Sequence, residues 1–539
     1  MNTPLSNPAQ APSRKRAFVS LRKLVMGSGM RTLALVLSVL AGFFLTPFTV
    51  HRLGAANYGI WALAYAFIGY YSVLDLGLSG AIFTHMSHAL GADDPREANR
   101  IYNTGLAAFA AIGAVLLLVT FVLTAVIWPS GRPYSHVLAG VILLAGIQTS
   151  LSFPMRAPFG VLNAGSHFDL TAGTTIFSLL LRSAATVLVL LSGHGVVMLA
   201  LGALLAGLPG YMVVLLAVHR TYPFVRLLDR SAVDRALSKK LLKFGVPVII
   251  GQVADRVRLQ TDAIVVSMFL GMVAVAHYNI ASTLVLYYID GILAIVGVLT
   301  PLLTMQDGAR DREGLRKTFF SGTQLAIGTA GFAAFSLVAL GHPFIARWMG
   351  RDFLDAYPVL VVLVLASLFD LMHSTAVATF YATMHQNVYA TLNSTEAVLN
   401  LLLSVLLVRR YGMIGVALGT LVPSFLLRTF VQPFLLERYV GIAVREYVRV
   451  TGRACLAALV FLIAPAALAL RMAKPQYANM LLVAVGGAAL FFLPYWAFVL
   501  RTAGRNLQWK GAEQGLAAGA VPAADAPTLE EEMAWNAER

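Results

Sequence analysis

Charge is scarce in this 539-residue chain: Asp, Glu, Lys and Arg together make up 12% of it, against 58% hydrophobic residues. Soluble domains run nearer about 25% charged and about 45–50% apolar, which excludes a soluble fold. There is one cysteine, Cys455. It can form no internal disulfide and no thiolate metal centre, and reads as a small apolar residue in a helix. Enzyme signatures are missing too. There is no P-loop, no GxGxxG opening a helix, no HExxH and no Cys/His cluster, so nothing equips the chain to drive itself by nucleotide hydrolysis. The net charge of +15 raises nucleic-acid binding as a candidate, until the basic residues are located.

Long apolar runs dominate what is there. A bilayer core of about 30 Å takes about 20 apolar residues per helix. About fourteen segments meet that length: 32–50, 58–82, 104–128, 137–162, 170–191, 196–218, 244–270, 275–303, 319–340, 357–381, 389–408, 414–436, 450–470 and 477–500. The expected fold class is an all-α polytopic membrane protein. Residues 1–30 form a basic N-terminal segment, 31–218 a first six-helix bundle and 219–243 a basic linker. A second six-helix bundle occupies 244–437, two further helices 438–500, and a tail rich in Ala, Gly and Pro 501–539, expected to be disordered. The N-terminal segment runs straight into a near-spanning apolar stretch, as a retained first helix does and a cleaved leader does not.

Most of the 40 Lys and Arg residues fall in connections on one side. The exceptions are Arg52, Arg132, Arg347, Arg351, Arg409, Arg410, Arg471 and Lys474 on the other side, and Arg156, Arg182, Arg256, Arg258 and Arg428 inside spans. The positive-inside rule then places both termini in the cytoplasm. The basic charge becomes a topology signal, and no nucleic-acid partner is expected.

The chain also repeats itself. At one constant spacing Leu53-Gly54 meets Leu270-Gly271, Tyr70-Tyr71 meets Tyr287-Tyr288, and Ala200-Leu201-Gly202 meets Ala417-Leu418-Gly419. Six helices per copy is an even number, so both copies enter the membrane from the same side. This predicts two bundles related by a pseudo-two-fold axis along the membrane normal, with a site between them.

Polar residues inside spans are the site candidates, because charge in lipid is costly and tends to face a wet cavity or a partner. The seventh segment carries the densest group: Gln252, Asp255, Arg256, Arg258 and Asp262 share one helical face, while Val253, Ala254, Val257 and Val265 lie off it. Its counterpart in the first copy, 38–45, is apolar apart from Ser38, so the second copy supplies most of the charge. Spacing also allows Asp255 with Arg258, and Arg258 with Asp262, to neutralise one another within the helix. Other candidates are Tyr58, Trp61, Tyr65 and Asp75 in the second segment, Arg156 between Pro154 and Pro158, and Arg182 in the fifth. Tyr278, Asn279, Tyr287 and Asp290 lie in the eighth, Asp370 and His373 in the tenth, Asn393 and Glu396 in the eleventh, and Arg428 in the twelfth. Asp75, Arg156 and Asp290 lie near span ends, where snorkelling to the interface competes with lining a cavity. The tyrosines are open to an interfacial belt or packing role.

Four stretches carry a resemblance. HRLGAANYGIWAL at 51–63 resembles the first periplasmic turn of polysaccharide flippases. Leu74-Asp75-Leu76-Gly77-Leu78 resembles their helix 2 element, KLLKFGVP at 240–247 their entry to helix 7, and YGMIGVA at 411–417 their turn into helix 12. In order and in the right segments, they resemble the oligosaccharide-flippase branch of the multidrug/oligosaccharidyl-lipid/polysaccharide exporter superfamily.

The resemblance implies a V-shaped pair of bundles in a bacterial inner membrane, working by alternating access on an undecaprenyl-diphosphate-linked glycan. Membrane lipid is an implied partner, as are a glycan polymerase and a chain-length regulator. Arginine suits a diphosphate by geometry and charge, so Arg156, Arg182, Arg256, Arg258 and Arg428, with Tyr65 and Tyr287, are the substrate candidates. Asp255, Asp262, Asp290, Asn393 and Glu396 are the gating or coupling candidates. No cofactor is expected beyond a sodium or proton gradient, and the resemblance would place sodium at Asp255, Asp262, Asn393 and Glu396. Competing readings are a cation-coupled drug antiporter, a lipid II flippase and, remotely, a glycan polymerase or ligase. A polymerase or ligase calls for a large outer loop, and the longest here is about 342–356.

Overall fold

A computed structural model describes residues 14–501, apart from 132, 227–228 and 473–475. Residues 1–13 and the tail beyond 501 lie outside the described residues, and the expectation of a disordered tail falls there. Among the described residues the chain is helical, with no strand. The first half contains α1 (Arg14–Leu53), α2 (Ala55–Gly69), α3 (Leu78–Gly91), α4 (Pro95–Ile127), α5 (Ser135–Ser152), α6 (Arg156–Ala164), α7 (Phe168–Leu191) and α8 (Val196–Thr221). The second begins with α9 (Arg235–Leu270), α10 (Met272–Val296), α11 (Leu299–Gly308) and α12 (Arg312–Trp348). It continues through α13 (Ala356–Met372), α14 (Ser374–Ala382), α15 (Gln386–Leu426) and α16 (Gln432–Val440). Last come α17 (Val444–Phe461), α18 (Ile463–Leu470) and α19 (Tyr477–Tyr495).

Among the described residues eleven helical runs, several of them joining two of these helices, are long and apolar enough to cross a membrane, or twelve if the bent run Ala55–Asp75 with Leu78–Gly91 is one span. The sequence leads to about fourteen, and the difference has two visible origins. Gln386–Val440 counts once, although Gly412 (φ 58°, ψ −137°) breaks it. Arg235–Leu270 does not count, and it carries Asp255, Arg256, Arg258 and Asp262 within two turns.

Several spans are interrupted, the fourth at the prolines that flag a break and others where the sequence carries no such signal. The second segment bends by 41° through a tight turn at Tyr70–Asp75. Leu76 (φ 53°) and Gly77 (φ 68°) then take left-handed conformations that end one helix before the next begins. This kink is what the Leu-Asp-Leu-Gly-Leu element encodes. Pro154 interrupts α5 and α6 as its missing N–H requires. Leu427–Val431 forms a single π turn, the kind of widened turn that is frequent at functional sites.

The apolar interior tells how the halves meet. At the end carrying the Gly54 and Gly271 turns, one continuous cluster joins them, from Val50, Leu53, Tyr58 and Ile60 through Val265, Val275 and Ile280 to Ile345 and Trp348. Both glycines adopt the same positive φ, 79° and 87°, in keeping with a duplicated turn. Trp348 Nε1 donates to the Phe43 carbonyl across the halves at 2.8 Å. At the opposite end the apolar cores are separate: one in the first half around Ile82, Tyr102 and Phe153, the other in the second around Phe319, Phe380 and Tyr447. Halves joined at one end and parted at the other leave a cavity between them.

Helix α9 belongs to both halves, packing on α2, α3 and α4 as well as on α10 and α15. The linker ahead of it is tied to α4. Asn103 Nδ2 donates to the Arg226 carbonyl at 2.9 Å, the Asp229 N–H donates to Asn103 Oδ1 at 2.9 Å, and Arg100 pairs with Asp234 at 3.2 Å.

Candidate functional site

The parted end holds a cavity of about 830 Å³. Four arginines line it, Arg156, Arg256, Arg258 and Arg428, and so do four aspartates, Asp75, Asp255, Asp290 and Asp370. Ser72, Gln252, Tyr381 and Tyr389 add polar surface, and Leu286, Leu293 and Val377 apolar surface.

Its wall in the second half is a balanced cluster of two guanidiniums and two carboxylates. Arg258 on α9 pairs with Asp370 on α13 and stands 3.1 Å from Glu396 on α15. Arg428, in the π turn, donates through Nε to Asp370 at 2.9 Å and pairs through Nη2 with Glu396 at 2.6 Å. The Arg428 and Glu396 side chains are 3% and 1% exposed, so both charges are out of solvent. Charges this deep persist only when paired and hydrogen-bonded. Further partners surround the Arg428–Glu396 pair: Ser424 donates to Glu396 at 2.8 Å, Arg428 reaches Asn393 and Gln432, each at 3.4 Å, and its guanidinium lies 5.4 Å from the Tyr389 ring, while Arg258 Nε is buried without a partner. Asn393 in turn donates to Asp255 at 2.7 Å.

In the first half Asp75 and Arg156 line the cavity and do not snorkel to an interface. They pair with each other inside the cavity, and the Arg156 guanidinium lies 4.0 Å from the Phe153 ring. The in-helix pairing of Arg258 with Asp255 and Asp262 does not occur either, because carboxylates on α13 and α15 take the guanidinium. Asp262 instead accepts from Tyr278 at 2.5 Å and from Thr420 at 3.3 Å.

Of the substrate candidates, Arg156, Arg256, Arg258 and Arg428 come together in this cavity. Tyr65 lines a smaller neighbouring one. Arg182 lines neither: it lies near Tyr65 and Tyr211, with its Nε buried and unpartnered. Tyr287 is also elsewhere, packed against Gly42 of α1. The gating candidates divide as well. Asp255 and Asp290 line the main cavity, Asn393 and Glu396 sit behind its wall, and Asp262 lines the smaller cavity. The four residues named for sodium are therefore not one site, since Glu396 is taken up by two guanidiniums. Among the described residues, no group of three or more His, Cys, Asp or Glu is placed to hold a metal ion.

Asp370, one of the polar candidates of the tenth span, is the residue missing from both the substrate and the gating sets. It is the one acid inside the tenth span, and the reasoning that singled out helix 7 applies to it equally. Its partners on α9 and in the π turn are far off in sequence, and no local spacing points to them.

The two-halved helical fold, with a charge-lined cavity between the halves, is one this chain shares with solved membrane transporters. It is similar to the lipid II flippase MurJ in an inward closed conformation (15% identity, 87% of this chain and 98% of that one, TM-score 0.69). It is also similar to an inward-facing multidrug resistance MATE family transporter of the MOP superfamily (15% identity, 80% and 99%, TM-score 0.65). The chain belongs to the polysaccharide biosynthesis protein family, whose model matches residues 24–306, and the resemblance read from its motifs stands. A relative in Bacillus subtilis (strain 168), the uncharacterized membrane protein EpsK, is 26% identical over 343 residues. The match covers 61% of this chain and 66% of EpsK, just short of two thirds of that protein.

Proposed function

We propose that this protein is a flippase that carries an undecaprenyl-diphosphate-linked oligosaccharide across the bacterial inner membrane, by alternating access, for surface polysaccharide biosynthesis. One observation carries the reading: four arginines converge on a cavity between two halves that are sealed to each other at one end only. A diphosphate needs cationic partners in a low-dielectric site. Arg256 forms no ion pair with a described residue, and Arg156 and Arg258 are held by acids that an incoming phosphate can displace. Both termini are cytoplasmic in this reading, so the open end faces the cytoplasm, where the glycan is loaded. A drug antiporter reading calls for an acid-lined cavity without spare arginines, and Arg256 argues against it. Deletion of the gene is expected to accumulate the lipid-linked oligosaccharide on the cytoplasmic face with loss of surface glycan, measured by extraction and mass spectrometry. Normal surface glycan in the deletion strain would sink the assignment.

For coupling we propose Asp262 rather than the four-residue set. Asn400 donates to Thr420 at 2.8 Å, Thr420 donates to Asp262 at 3.3 Å, and both Asp262 Oδ1 and Asn400 Oδ1 are buried without partners. Buried acceptors left open are anomalous unless something fills them. Oxygens of a carboxylate, an amide and a hydroxyl suit a hard cation such as sodium. Sodium chloride, compared with choline chloride, is expected to raise the melting temperature of the purified protein, and Asp262→Asn to remove the rise. An equal rise in the variant would reject Asp262 as the cation ligand. No rise in either protein would leave a proton as the coupling ion.

A further inference from the structure

Beside the main cavity lies a second, of about 330 Å³, and Leu286 lines both. Its walls come from both halves: Tyr58, Trp61 and Tyr65 from α2, Gln260 from α9, and Asn279 and Ser282 from α10. Asp262 is its one charged lining residue, and Oδ2 of that carboxylate is already bonded to Tyr278 and Thr420. The main cavity has eight charged lining residues; here the lining is aromatic and neutral-polar.

The polar groups of the smaller cavity are largely unused. Among the described residues the Trp61 indole N–H, the Tyr65 hydroxyl and the Gln260 amide have no hydrogen-bond partner. Asn279 accepts from Tyr58 at 3.0 Å, which leaves its NH2 group free to donate. The Trp61 and Tyr65 rings pack 4.5 Å apart to form the aromatic wall. Flat aromatic carbon beside free amide and hydroxyl groups is the chemistry that fits a pyranose, whose C–H face is apolar and whose edge is a ring of hydroxyls. A volume near the low end of about 300–1,000 Å³ suits a small moiety rather than a long chain.

We propose that this second cavity seats the first sugar ring of the lipid-linked glycan, as a neutral pyranose, while the diphosphate occupies the arginine-lined cavity next to it. The proposal rests on the flippase reading. The first sugar is bonded directly to the diphosphate, so its site must adjoin the phosphate site, as the shared Leu286 wall allows. An acidic sugar is disfavoured, because the one charged side chain in the lining is a carboxylate and no Lys or Arg lines it.

The test is binding to the purified full-length protein in nanodiscs. The probes are undecaprenyl diphosphate and undecaprenyl diphosphate bearing one N-acetylglucosamine. The glycosylated carrier is expected to bind roughly tenfold tighter than the bare one, the equivalent of one or two good hydrogen bonds and a ring contact. Trp61→Ala and Gln260→Leu are expected to bring the ratio close to one without weakening the bare carrier. Gln260→Leu keeps the side-chain volume, so it serves if Trp61→Ala does not fold. An unchanged ratio in the folded variants would overturn the subsite. So would a wild-type protein that binds both carriers equally, although that result leaves the flippase reading standing. Binding of neither carrier would overturn both.

Discussion

Replacing Arg428 by alanine is expected to abolish glycan export and to destabilise the protein by about 3–5 kcal/mol, the cost typical of breaking a buried ion pair by removing one partner. Arg428 holds Asp370 at 2.9 Å and Glu396 at 2.6 Å. Without it Arg258 alone faces two carboxylates, and Glu396, 1% exposed, has no water to turn to. A lowered melting temperature in detergent and a smaller monodisperse fraction would register the effect. The double variant Arg428→Met with Glu396→Leu separates stability from transport. It removes one charge of each sign, leaves Arg258 with Asp370, and is expected to recover most of the melting temperature. Its export stays lost if Arg428 meets the cargo. A single alanine variant with wild-type stability and export would mean that the cluster is neither structural nor functional.

Gly59→Ala is expected to damage the sealed end. A Cβ at this position would stand 1.8 Å from the Met272 carbonyl oxygen and 2.8 Å from its carbon. Both are backbone atoms at the start of α10 and cannot swing aside as a side chain would. Overpacking of this kind costs about 1–3 kcal/mol, and here the strain is confined to the state in which α2 and α10 touch. The substitution therefore acts on the seal and spares each half's own core. In a Cys455→Ser background, Ser282→Cys reports the consequence. An impermeant thiol reagent added on the Gly54–Gly271 side should label it about tenfold more when Gly59 is alanine, the shift produced by roughly 1.4 kcal/mol. Unchanged labelling with normal export would show that the helices part without altering access.

Much of the fold was readable because membrane helices announce themselves. Runs such as 196–218 need only length and apolarity, and the Gly54 and Gly271 turns repeat in sequence and in backbone conformation. The interruptions were harder. Pro154 flags a break, but the left-handed Leu76 does not look different from any other leucine. At the site, Arg258, Arg428 and Glu396 stand out as charges in apolar surroundings, so their involvement is visible one residue at a time. What they bind is not. Local spacing offers Arg258 the acids of its own helix, whereas packing of α9 against α15 and the π turn gives it Asp370 and Glu396. Arg182 and Tyr287 show the converse error. Their residue types suit a cavity, but the faces they occupy do not point into it.

The uneven distribution of apolar contact between the two ends also sets which way the cycle idles. Separating the halves at the Gly54–Gly271 end exposes a continuous hydrophobic seam, whereas at the other end the apolar cores already form two separate clusters, the first of them reaching only Leu237 of α9. In the proposed flippase cycle the empty protein therefore sits in the state that receives cargo, and facing the far side is the excursion that costs free energy. Cargo that bridges the halves has to supply that difference through its preference for the intermediate and outward forms. Once the cargo leaves, the seam closes again without further input. In the flippase cycle proposed above, this arrangement gives a downhill return and little futile cycling when no cargo is waiting.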